Sequence, residues 1–386
     1  MRPHTRLVSV LLTAAAVTCG CGSATHQGST PANSVPPPSL ATSLTTPTGT
    51  WAAVVMGGSA ASHNNFWQLF TRPGSTTTWR LVTPPGVASN GGLVLASPGT
   101  GPLVAGFRPS QDLASSPLAT THNNGATWTP AILAAGLADV PDALAAAPSG
   151  GRLLALLTNG TVKLSTPGAT GWATLATRRT LAASAAAARC RPGNLTATAF
   201  SPSGAPLLAA DCTRPGTSGI FAYTGQAWHL AGPALPAPFR HQNVTVLRLT
   251  TTTTAGATTA LLAAGSGPTA DLLAAWSTGN GAHWSLSQPL PLRGAKVTST
   301  SFGPSGAAAI ALTGNHAQTT SPAARSWRPL PALPPATAAL ASGVKGGWEA
   351  LTVHRTRLTI WQLAPGARTW AAAQVITVPI QFGSSG

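Results

Sequence analysis

Acidic side chains are nearly missing from this chain. Its 386 residues hold six carboxylates: Asp112, Asp139, Asp142, Asp211, Asp271 and Glu349. So few leave little material for a multi-carboxylate metal site or a two-metal hydrolase. Charge of either sign is scarce, at 7% of residues against roughly a quarter in an average soluble chain. Lysine occurs only at Lys163, Lys296 and Lys345. With Glu and Lys this rare, and Thr, Gly and Pro spread throughout, long helices are not expected. There is no Gly-x-Ser-x-Gly elbow, no His-x-His and no His-Glu-x-x-His. Nucleophile-elbow hydrolases and dedicated zinc sites therefore have no motif to rest on.

The start of the chain carries an address. Arg2 and Arg6 are followed by a mostly apolar run over residues 7–18 and then by Cys19-Gly20-Cys21-Gly22. The run is too short to span a membrane and reads as a secretory signal. It resembles a bacterial lipoprotein signal, which implies a signal peptide over 1–20 and lipidation at Cys21, with Cys19 as the alternative. Such a protein is exported and anchored at the extracytoplasmic face of the cell membrane. Residues 21–49 lack periodicity and include Pro36, Pro37 and Pro38, so they read as a disordered Pro/Ser/Thr-rich tether. Its reach is on the order of 30 Å on average. Two cysteines remain, Cys190 and Cys212. Each follows a strand-like segment, so they are expected on neighbouring strands, and in an exported chain they read as a disulfide, the alternative being two buried thiols.

Tryptophan is abundant, at 12 residues. Seven of these share one context, a strand-like run, a short turn, then Trp opening another strand: Trp79, Trp128, Trp172, Trp228, Trp284, Trp327 and Trp370. Their spacings of 49, 44, 56, 56, 43 and 43 are those of propeller blades or solenoid units. The turns at Thr121-His122-Asn123-Asn124-Gly125-Ala126-Thr127-Trp128 and Ser277-Thr278-Gly279-Asn280-Gly281-Ala282-His283-Trp284 are the clearest, with a weaker copy over 165–172. They resemble the Asp-box (BNR) repeat of sialidase-like propellers, with Asp replaced throughout. Thr121, Asn123, Gly125, Ser277 and Gly281 are the matching turn positions. A Pro-Ser-Gly turn between two apolar strands recurs at 147–157, 200–210 and 302–312. Each unit then reads as four strands, the first two nearest the axis.

The fold class is thus all-β: a seven-bladed β-propeller over 50–386, with four-stranded blades near 50–87, 88–139, 140–192, 193–240, 241–294, 295–335 and 336–378. The tail over 375–382 is expected to pair with the strand near 51–56 and close the ring.

The sialidase resemblance implies a Tyr nucleophile with a Glu partner, for which only Tyr223 and Glu349 exist. Asp139 and Asp142 are the alternative carboxylate pair for a glycosidase, and Pro141 places them in a loop. No catalytic residue, metal site or cofactor is assigned. The nine histidines are scattered. The net charge of +16 rests on 22 basic residues, in small groups such as Arg178-Arg179, Arg189 with Arg191, and Arg355 with Arg357. An exported protein is not expected to meet nucleic acid. The leading expectation is a monomeric, membrane-anchored binding or scaffold module for an acidic glycan, a wall polymer or a protein partner. A glycan hydrolase on the same scaffold and an assembly factor for a membrane complex are the alternatives.

Overall fold

The computed structural model describes residues 42–379, apart from 58–64, 86–92, 98–101, 108–115, 134–140, 150, 168–170, 253–255, 279–280, 282 and 344–345. Twenty-eight strands group into seven antiparallel blades of four, each in sequence order. The first strands are Thr42–Thr46, Leu93–Ala96, Ala143–Ala146, Pro192–Phe200, Val244–Thr252, Val297–Phe302 and Thr337–Ser342. They pack on one another around the axis. The fourth strands are Arg80–Leu81, Thr129–Leu133, Trp172–Thr177, Ala227–Leu230, His283–Leu286, Arg328–Pro329 and Ala371–Thr377. Leu290–Pro291 adds a short extra strand against the third strand of blade 5.

Burial falls from the inner strands to the rim. Leu153–Leu156 and Ala257–Ala264 are buried at every residue, while Ala371–Thr377 is mostly exposed. A strand with blades on both faces must be apolar on both, which explains the unbroken Ala/Leu runs. Seven apolar clusters occupy the seven seams between blades. Leu247, Leu261, Trp276, Phe302 and Ile310 fill the seam of blades 5 and 6. Ala52, Val54, Phe70, Trp79, Leu351 and Ile360 fill the seam that joins blade 7 to blade 1. Small alanines at many seam positions let twisted sheets approach face to face.

Three expectations change. Thr42–Thr46 is the innermost strand of blade 1, so the fold begins inside the segment read as tether. Ring closure is not by strand exchange: Ala371–Thr377 pairs with Arg357–Leu363, and Gly49–Gly57 pairs with its own blade neighbours on both sides. The reason is that blade 1 already has four strands from one continuous segment. Residues 380–382 of the expected closing strand lie outside the described residues. Finally, Cys190 and Cys212 do not sit on neighbouring strands. Cys190 ends a 3-10 turn at Ala185–Arg189, and Cys212 ends the strand Pro206–Cys212. They are bonded, with Cα atoms 4.7 Å apart.

The first strand of blade 1 also reaches inward. Thr42 pairs in parallel with Thr300 of blade 6. Ser43 donates from its hydroxyl to Ser301 Oγ at 3.0 Å. Arg248 of blade 5 donates to Thr300 O, Thr300 Oγ1 and Ser43 O at 2.6, 2.9 and 2.6 Å. Loss of water around this guanidinium lowers its pKa to about 10.

Candidate functional site: the two ends of the ring

Consecutive antiparallel strands send their connections to alternate ends of the blade. The turns between first and second strands and between third and fourth strands share one end, as Gly74 N donating to Thr48 O at 2.8 Å illustrates in blade 1. We call this the turn end. The other connections share the opposite, connection end.

The turn end holds the Trp repeat. All seven expected tryptophans lie within one residue of the start of a fourth strand. Five donate their indole N–H to a carbonyl at the rim of the preceding blade: Trp128 to Val82, Trp172 to Ile132, Trp284 to Ala231, Trp327 to Gln288 and Trp370 to Pro331, at 2.7–3.1 Å. The turn over 121–128 explains how Asn serves there. Asn123 Oδ1 accepts from Thr127 N at 2.9 Å and from the Thr121 hydroxyl at 3.0 Å, while its Nδ2 donates to Thr127 Oγ1 at 2.8 Å. Gly125 N donates to Thr121 Oγ1 at 2.9 Å. Gly125 has φ +81°, and a Cβ there would lie 2.6 Å from Val82 Cβ of the preceding blade. Only glycine meets both demands. At the second turn, Ser277 donates to Thr278 O and Gly281 has φ +87°. Residues 279, 280 and 282 lie outside the described residues.

Two of the seven depart from the rule. Trp228 stacks at a tilt on Tyr223, with ring centroids 5.0 Å apart. Trp79 is fully buried and donates to Glu349 Oε2 at 3.0 Å. Glu349, 0% exposed, meets Arg72, 3% exposed, through Arg72 Nε to Oε2 at 3.1 Å. Gln362 Nε2 donates to the other carboxylate oxygen at 3.2 Å. Arg72 Nη2 donates to Ser342 O and Thr50 Oγ1 at 2.8 and 3.1 Å. Gln374 brackets the Trp79 backbone, accepting from its N at 2.8 Å and donating to its O at 2.7 Å. Burial raises the Glu349 pKa, opposed by Arg72 and by the Trp79 and Gln362 hydrogen bonds. Glu349 is therefore a latch between blades 7 and 1. Tyr223 lies on blade 4, so the Tyr–Glu pair of a sialidase-like centre is not assembled. Of the alternative carboxylate pair, Asp142 directly precedes the first strand of blade 3, and Asp139 lies outside the described residues.

A cavity of about 150 Å³ opens at the turn end between blades 1 and 2, lined by Trp51, Leu103, Thr121, His122 and Asn124 among others. Cations at this end include Arg80, which donates to Asn124 O at 2.8 Å, and Arg152, which donates to Gly204 O at 3.1 Å. Arg325, Arg328 and Arg368 are exposed here too.

The connection end differs. After blade 3 the chain inserts a short helix, Arg178–Ala182, capped by Thr177, and then the 3-10 turn that leads to Cys190. Arg178, Arg179, Arg189, Arg191, Arg214 and Arg240 are all exposed on this insertion and on the two loops beside it. Backbone bonds hold the three loops together: Arg214 N to Cys190 O at 3.1 Å, Thr213 N to Arg191 O at 3.2 Å and Gly216 N to Gln242 O at 2.8 Å. Gly216 abuts the Arg240 backbone so closely that a Cβ would clash with its carbonyl. Similar bonds continue round this end through Gly265, Leu292, Thr313 and Val353, bringing in Arg293, Lys296, Arg355 and Arg357, also exposed. Among the described residues the one ion pair is Arg72–Glu349, so no described carboxylate lies within ion-pair distance of these cations. Asp211 directly precedes Cys212, and one of its oxygens is buried without a partner. Burial raises its pKa, opposed by a hydrogen bond from Thr245. Sequence reading marked some of these arginines as pairs and missed Arg214 and Arg240. Their common signal was position within the repeat: each falls after a fourth strand or between a second and a third.

Among the described residues no group of three His, Cys, Asp or Glu could hold a metal, and no helix is long and apolar enough to cross a membrane.

No protein-family model and no curated protein matches the chain. Solved structures do. The GH74 xyloglucanase of Xanthomonas campestris has 15% identity and a TM-score of 0.56, covering 87% of this chain; this chain spans about half of it, 55%. A protein from Lactobacillus plantarum has 10% identity and a TM-score of 0.56, covering 86% of this chain and 97% of its own. The Cps50 (Swd1) β-propeller domain of Myceliophteria thermophila has 12% identity and a TM-score of 0.54, covering 84% and 96%. At these identities the likeness establishes the propeller fold and no activity.

Proposed function

We propose that this protein is a lipid-anchored binding module of the cell envelope, with Cys21 as the anchored residue and the following Pro/Ser/Thr-rich segment as a spacer. Its ligand is an anionic polymer of the envelope, engaged at the connection end. The observation that carries this reading is the band of exposed cations there with no carboxylate partner among the described residues. Such a band concentrates polyanions and makes binding salt-dependent. The turn motifs are read as degenerate Asp boxes, whose work is to hold hairpins. A hydrolase reading is weakened by the engagement of both Glu349 oxygens in the seam.

The test is capture. The purified full chain, in a neutral detergent, is presented with isolated wall polymer and with solubilised membranes over a salt titration. Retention on wall polymer that fades as salt rises is expected. Capture only of membrane proteins, surviving high salt, would replace this reading with an assembly role. Metabolic labelling with a fatty acid should mark the chain and be abolished by Cys21→Ser; unchanged label would move the anchor to Cys19.

A further inference from the structure

We infer that the three loops around the Cys190–Cys212 disulfide form a discrete site for a phosphate-bearing linear polymer, and that the disulfide holds the site in shape. This rests on the envelope-binding reading above and narrows it to one place and one chemistry.

Three observations carry the inference. First, arginines from three different segments are brought side by side. Arg189 and Arg191 flank Cys190, and Arg214 follows Cys212 by two positions, its amide bonded to the Cys190 carbonyl. Thr213 Oγ1 donates to Arg191 O at 3.1 Å and Thr217 Oγ1 to Arg189 O at 3.3 Å. Arg240 lies against Gly216. The covalent bridge thus joins the two segments that carry Arg189, Arg191 and Arg214. Second, the surface lacks what a protein partner needs. The exposed large hydrophobics among the described residues are Leu81, Ile132 and Val375, none on these loops. Protein interfaces draw their affinity from buried apolar and aromatic anchors. Third, the loops expose no Trp, Tyr or Phe, since Phe239 is buried. A sugar-acid polymer would ask for aromatic faces under its rings. A phosphate chain asks only for closely spaced forked donors, which guanidinium groups supply.

Asp211 lies beside the disulfide, on the residue before Cys212. One of its oxygens is buried without a partner, and among the described residues it makes no ion pair with these arginines. Without the bridge, the insertion over 178–191 would be held to blade 4 by a few hydrogen bonds and the packing of Leu181 and Ala186. The arginines would then lose their fixed spacing.

The experiment uses the purified full chain and inorganic polyphosphate, with polyglutamate as the carboxylate arm, read by calorimetry at low and high salt. R189A/R214A/R240A should weaken polyphosphate binding by about 30-fold, near 2 kcal/mol. R325A/R328A/R368A, equal in charge change but at the turn end, should leave it within about threefold. The C190S/C212S variant should bind about tenfold more weakly while its β circular dichroism is kept. Equal losses from both triple variants, or none from the first, overturn the site while leaving the envelope-binding reading intact. Tighter binding of polyglutamate overturns the phosphate assignment alone. Failure of the unmodified chain to bind either polymer overturns both.

Discussion

The two ends of this ring are made from the same repeated unit and have opposite chemistry. At the turn end, Arg325, Arg328 and Arg368 are exposed, but the groups that recur from blade to blade are consumed internally. Asn123 serves its own hairpin, five indoles serve the neighbouring blade, and Arg72 and Glu349 neutralise each other in the closing seam. At the connection end the backbone is satisfied by backbone, and the arginine heads are left in solvent. A propeller needs one end to fix the spacing of its blades. The other end is free to vary, and that is where ligand chemistry has room to accumulate.

The closing seam gives the sharpest way to break this contrast. Arg72→Ala leaves the Glu349 carboxylate buried with no counter-charge. That should cost about 3–5 kcal/mol of stability, measured by denaturant unfolding, with polyphosphate affinity unchanged in the folded fraction. A loss under about 1 kcal/mol, typical of surface pairs, would mean the pair is not a latch.

The titration of Glu349 sharpens the same point. Its folded pKa is raised by burial, so the folded chain holds the proton more tightly than the unfolded one. The stability this contributes is complete below the ordinary glutamate range and is lost as pH rises through the raised value. The difference in melting temperature between the unmodified chain and Glu349→Gln should therefore shrink as pH rises from about 4. Asp211 and Asp271 are shifted in the same direction but are present in both chains, so the difference isolates Glu349. A difference that grows with pH would contradict the assignment.

Tryptophan offers a graded comparison within the turn end. Trp79→Phe removes a hydrogen bond to a charged acceptor and should cost about 1.5–3 kcal/mol. Trp370→Phe removes one to a neutral carbonyl, Pro331 O, and should cost about 1 kcal/mol. Equal costs in thermal unfolding would erase the distinction between the closing seam and the others.

The smallest effect is expected at the connection end. R189A/R214A should change stability by less than about 0.5 kcal/mol, because exposed side chains without buried partners contribute little. A larger loss would make these arginines part of the scaffold.

The same contrast explains what could be read from the sequence. The turn end was legible because it repeats. Seven Trp positions and three Pro-Ser-Gly turns pointed to seven blades, and apart from a one-residue shift at Pro192 the later boundaries fall between the observed blades. The first boundary moved because Thr42–Thr46 carries no apolar run: its pairing partners Ala53, Trp51 and Thr300 are what make it a strand. Glu349 looked like a candidate for chemistry because it was the single glutamate. Only the ring brings it to Arg72, 277 residues away in the chain. The disulfide was legible from the cysteine count and the expectation of export. Its neighbours Arg214 and Arg240 were not, since nothing local says that loops from two blades meet.

Hydrogen exchange of the full chain, with and without polyphosphate, tests the division of labour most directly. Amides over 178–191, 213–217 and 237–242 should slow on binding, while those of the turns at 121–128 and 364–370 should stay as they were. Protection centred on the turn end, or spread evenly over both, would contradict the account.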